Sequence, residues 1–196
     1  MRSLNGEWQP VTLEQLNYGS EAWKAYTAPD PQAIERFFLN LDDPSVPSLV
    51  GALKYHLTRF PSVYNGLSGV EQDILDGIKR GENGFALLFL RKLAFIIKNY
   101  GLGDVQFWGY LTRLANAASP LLLIEGPRPL PGYYDDRPVD LEQWRFYLTE
   151  RGMKVGQGLL DNVCVNGVDR WVGGVHLWGS QNLWRWDSSL QRLLIV

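Results

Sequence analysis

The spacing of Ser68 and Glu71 in "LSGVEQDILDGIKRG" constrains the fold of this chain more than any other feature. A serine three residues before a glutamate can take up a free amide of the first helical turn while the carboxylate reaches back to the serine amide. This capping box predicts a helix from Ser68 to Arg80, with Val70, Ile74 and Ile78 on its apolar face and Gly81 as its stop. A mostly apolar helix from Phe85 to Tyr100 should follow. After the turn "GLGD", a third helix is expected with Asp104 as its cap, burying Phe107, Leu111, Leu114, Ala115 and Ala118. "PLLLIEG" and "WRFYL" have strand composition and flank a loop rich in proline and glycine that runs to Pro138. "TERGMKVGQGLLDNV" then reads as a helix capped by Thr149. Three helices, a strand, a loop, a returning strand and a helix is the order of a winged helix-turn-helix domain. "LTERG" also resembles the wing terminus of many such regulators.

The flanking regions are simpler. Leu13, Leu16, Trp23 and Tyr26 fall at mostly helical spacings after Thr12, although Gly19 weakens that helix, and a second helix is expected from Pro31 to Leu39. Leu49, Leu53, Leu57 and Phe60 form one stripe on a third, between Pro47 and Pro61. At the other end, "GGVHLWG", "LWRWD" and "RLLIV" predict a small antiparallel sheet, with Gly179 to Asn182 as a turn. The expected fold class is therefore α+β, mainly α. Residues 1–66 form an N-terminal helical segment, 67–163 a winged-helix-like core, and 164–196 a small aromatic-rich antiparallel sheet packed on that core.

Composition excludes several classes. With 45% hydrophobic and 20% charged residues, 196 residues can bury a substantial core without resembling a disordered chain. A single cysteine, Cys164, allows no internal disulfide, and "MRSLNGEWQP" has no secretory pattern, so a bacterial-style cytoplasmic location is expected. "FALLFLRKLAFII" is interrupted by Arg91 and Lys92 and falls short of the roughly 20 residues a membrane span requires. The formal net charge of −2 supplies no long-range positive field for nucleic acid or acidic lipid.

"AWKAYTAPDPQAIERF", "FPSVYNGLS", "GDVQFWGYLTRLANAASPLL" and "NGVDRWVGGVHLWGSQNLWRWD" together carry a resemblance. Over nearly the whole length the chain resembles the C-terminal part of bacterial proteins of domain-of-unknown-function family 1835. Members of that family carry an additional α/β-like half before this region, so any activity held there is not carried over. The resemblance implies an architecture and leaves function open.

Two groups of residues could form a site. On the helix from Asp104, Gln106, Tyr110 and Arg113 could reach a DNA groove while Arg145 or Arg137 of the wing touches phosphate. Against this, eleven Lys or Arg are balanced by eleven Asp or Glu between Leu67 and Leu160, where a phosphate-tracking domain has a basic excess. The second group is C-terminal: Asn166, Asp169, Arg170, His176, Arg185 and Asp187 could hold an anionic ligand or provide a histidine beside a carboxylate. The competing reading is packing, with Trp184 and Trp186 on a buried face and Arg185 and Asp187 on the other.

Cys164 lies between valines and reads as a small buried hydrophobe. His56 and His176 are far apart, and there is no CxxC or HExxH spacing, so no metal is expected. The acid pairs Asp42-Asp43 and Asp135-Asp136 read as solvated loops. With no dinucleotide, P-loop or serine-hydrolase motif, no cofactor and no recognisable catalytic centre are expected. The leading expectation is a non-enzymatic binding or regulatory module acting through protein contacts, with a protein partner or self-association and no membrane. A winged-helix DNA-binding regulator is second, and a small-molecule-binding accessory domain with its site at the C-terminal sheet is third.

Overall fold

A computed structural model describes residues 10–40, 46–90, 101–132 and 140–196. Arg91, Lys92, Arg137 and the two acid pairs lie outside the described residues. The fold is α+β. Helices α1 (Leu13–Thr27), α2 (Gln32–Leu39) and α3 (Pro47–Leu57) precede α4 (Gly69–Lys79), α5 (Phe85–Leu90) and α6 (Asp104–Asn116). Strand β1 (Leu122–Glu125) pairs antiparallel with β2 (Arg145–Leu148), and α7 (Glu150–Gly156) and α8 (Asn162–Asn166) follow. The chain ends in two hairpins, β3 (Val168–Val172) with β4 (Val175–Gly179), and β5 (Trp184–Asp187) with β6 (Arg192–Ile195). Among the described residues no helix is long and apolar enough to cross a membrane.

The capping box forms as its spacing predicts. Ser68 caps α4, and the Glu71 carboxylate accepts from both the Ser68 amide and its hydroxyl at 2.7 Å. Val70, Ile74 and Ile78 then face a core completed by Phe85, Phe107, Leu111, Leu121, Ile124, Phe146 and Val155. The long loop is pinned to this core by two indoles: Trp108 donates to the Pro131 carbonyl and Trp144 to that of Pro127, both at 3.0 Å.

Several expectations are corrected. The cap of α6 is Gly103 and not Asp104, which opens the helix itself; the Gln106 side chain accepts the Gly103 amide. The helix expected after Thr149 is two short ones, because Gly158 adopts φ +73° with the Tyr64 ring where a Cβ would stand. The single C-terminal sheet is two separate hairpins, and β3 was not foreseen. Gly173-Gly174 makes its turn, with the Thr27 carbonyl so close to Gly174 that no side chain fits. On α1, Leu13, Leu16 and Trp23 face outward, while the small Ala22 and Ala25 let the helix approach its neighbours closely.

The second core joins the two ends of the chain. Ala22, Ile34, Phe37, Leu53, Leu57 and Phe60 pack with Val172, Val175, Leu177, Trp186 and Leu193 from the hairpins. His56 is buried in it, 4.7 Å from the Tyr26 ring and edge-on to Phe60. Burial, helped by the nearby charge of Arg59, lowers its pKa to about 4. A histidine kept neutral in the fold but free to protonate when unfolded stabilises the protein above its unfolded value of about 6.5. That stability, about 3 kcal/mol, should be lost as pH falls from about 6.5 towards about 4. Urea midpoints across this window should therefore fall more steeply for the wild type than for His56→Gln; equal slopes would contradict the assignment.

Candidate functional site

The predicted C-terminal cluster does not form one site. Arg170 and Arg185 tie the hairpins to the rest of the chain, while Asn166 holds α8 to the segment after α6. Arg170 donates to Glu71 Oε1 at 3.0 Å and to the Arg59 carbonyl at 3.2 Å. Arg185, only 4% exposed, donates to both carboxylate oxygens of Asp161, at 2.8 and 3.2 Å, and to the Ser62 carbonyl. Asn166 is saturated by the backbone of Ser119 and by Asn162. Asp187 accepts the Ser189 and Leu190 amides and shapes the turn between β5 and β6.

Burial works against both carboxylates, yet both are held below their usual range. For Glu71 the counterweights are the Arg170 charge and the Ser68 hydrogen bonds; for Asp161 they are the Arg185 guanidinium and the Cys164 amide. The segment "PSVYNGL" explains why Arg185 lies inside. The Trp186 amide donates to the Pro61 carbonyl, and the Val63 amide donates to that of Trp186. Strand β5 is thus flanked by β6 on one edge and residues 61–63 on the other, and Arg185 and Trp186, on its opposite faces, are both buried. Asn65, itself buried, extends the joint to Gln72 and the Val155 carbonyl.

The outer face of the β3–β4 hairpin has no such role. Asp169 lies opposite Trp178 and Trp171 opposite His176, so all four side chains share one face, while Val172, Val175 and Leu177 anchor the other. Trp171 is 68% and Trp178 71% exposed. Trp171 stacks on His176 with ring centroids 4.8 Å apart and planes at 8°, and His176 Nε2 lies 2.8 Å from Asp169 Oδ1. The face is ordered by its own contacts. The packing role expected for Trp184 and Trp186 holds for Trp186 and in part for Trp184, whereas Trp171 and Trp178 are presented to solvent. Their positions opposite polar residues in the hairpin register were the missed signal, hidden because β3 was not recognised.

Beside this face, a cavity of about 550 Å³ brings Asn166, Asp169 and Arg170 together with Arg113 and Trp178. The remaining candidates for DNA contact are partly occupied. Gln106 is taken up by the Gly103 amide, Arg145 donates to the Glu142 and Trp144 carbonyls, and Tyr110 lies under the Arg113 guanidinium at 4.9 Å. Cys164 is exposed and not buried: its α8 position caps onto Asp161 and turns the side chain away from the valine that packs inward, Val163. No group of three or more His, Cys, Asp or Glu able to hold a metal occurs among the described residues. No family model, curated protein or solved structure matches this chain.

Proposed function

We propose that this chain is a non-enzymatic binding module that acts through protein contacts, and that the outer face of the β3–β4 hairpin is its contact surface. One observation carries the reading: Trp171 and Trp178 are largely exposed on one face of a hairpin whose opposite face, with Arg170, Val172, Val175 and Leu177, is engaged in holding the fold. Exposed aromatic surface is costly in water, and tryptophan is the residue type most enriched among the anchors of protein interfaces. The stack on His176 keeps one indole ordered before contact, which limits the entropy lost on binding. The matching partner surface is an apolar cleft with a donor at its edge for Asp169.

A winged-helix arrangement of residues 67–163, and with it the resemblance to family 1835, remains part of this proposal. The support is the order of α4, α5, α6, β1 and β2, together with a short antiparallel bridge between Gly84 and Arg145 that extends the β1–β2 ladder. DNA binding ranks below protein contact because Gln106 and Arg145 are engaged within the chain and the charges are balanced.

The test is a pair of substitutions, Trp171→Ser and Trp178→Ser. Each should change stability by no more than about 0.5 kcal/mol, because little buried surface is lost. Capture of the native partner from the source cells should nevertheless fail for the double variant. Retained capture with an intact fold would sink this reading.

A further inference from the structure

The cavity between the end of α6 and the β3–β4 hairpin, at about 550 Å³, is within the range of small-molecule sites, about 300–1,000 Å³. Glu71, Arg113 and Arg170 line it. The Glu71 carboxylate is committed, with one oxygen on Arg170 and the other on Ser68. Arg113 is the charge left over. It is close enough to help keep Glu71 ionised, its guanidinium rests on the Tyr110 ring, and it makes no ion pair among the described residues. Two cations against one anion leave this wall positive. The other acid of the lining, Asp169, has its side chain 72% exposed and bonded to His176 on the outer face. Trp178 belongs to the same lining and offers an exposed indole.

We propose that the cavity binds a small planar ring carrying an oxyanion, of which a mononucleotide is the type, with Arg113 receiving the oxyanion and Trp178 stacking on the ring. A guanidinium fork matches phosphate or carboxylate through two parallel hydrogen bonds. An indole stacks on a planar base whatever its identity. The site shares Trp178 with the protein-contact proposal but does not depend on it, since the ligand is held by the free chain.

Calorimetric titration of the full chain with adenosine 5′-monophosphate, adenosine and inorganic phosphate tests it. Saturable binding of the nucleotide is expected, at least about tenfold tighter than either fragment, since each fragment keeps only one of the two contacts. Arg113→Gln should reduce nucleotide affinity to that of adenosine, Arg113→Lys should retain part of it, and Trp178→Leu should weaken nucleotide and nucleoside alike. Both substituted positions are exposed, and unchanged melting curves would show that the fold persists. No saturable nucleotide binding, equal affinity for adenosine, or full affinity in Arg113→Gln would each overturn the proposal.

Discussion

Glu71→Ala is expected to lower the stability of the fold by about 3–5 kcal/mol, because it leaves Arg170 charged and largely buried without its partner. The loss should exceed that of Ser68→Ala, about 0.5–2 kcal/mol, which removes a cap without stranding a charge. The carboxylate serves two structures at once. One oxygen starts α4, and the other holds β3 against it across 99 residues of sequence. Adding Arg170→Met to Glu71→Ala should recover part of the loss, since the stranded cation is then gone.

Acid should reproduce the single substitution. The Glu71 carboxyl is held below its usual value of 4.5, so its contribution is fully present above that pH and is lost as pH falls through the lower folded-state value. Chemical denaturation of the three variants measures this directly, and a Glu71→Ala protein as stable as the wild type would contradict the assigned role.

Trp186→Ala is expected to cost about 3–5 kcal/mol, a large part of the roughly 5–15 kcal/mol that holds a domain together. Its indole is 7% exposed in the core shared by α1, α2, α3 and both hairpins, and its backbone bonds to Pro61 and Val63. Trp184→Ala should cost clearly less, because Trp184 only borders that core. Thermal melts of the two variants side by side check the ranking. Equal losses, or a Trp186→Ala protein that melts with the wild type, would place the second core elsewhere.

The starts of α1, α4 and α7 and the β1–β2 pair were legible because their signals are local: a cap, a capping box, an apolar stripe. Ser68 and Glu71 show how far this reaches, since their spacing announces the helix start but not the ion pair to Arg170. The C-terminal region was harder for a physical reason. Alternation along "LWRWD" separates two faces correctly, but it cannot reveal that residues 61–63 pair with the strand's other edge and that Arg185 is buried with Asp161. Likewise "VDRWVGGVHLWG" contains a complete hairpin, whose register sets Trp171 against His176 only once Gly173-Gly174 is recognised as its turn. Of the candidate ligand residues, only Asn166, Asp169 and Arg170 meet at one cavity. Arg170 and Arg185 went to the joint, Asn166 to the contact of α8 with Ser119, and Asp169 and His176 to the open face.

The most direct test of a protein-contact role is site-specific photo-crosslinking in the source cells. A benzophenone amino acid replaces Trp178 in one variant and Leu159, equally exposed in the turn between α7 and α8, in another. A discrete protein adduct is expected from position 178, either with a second copy or with another chain, and none from position 159. The same diffuse background from both positions would contradict it.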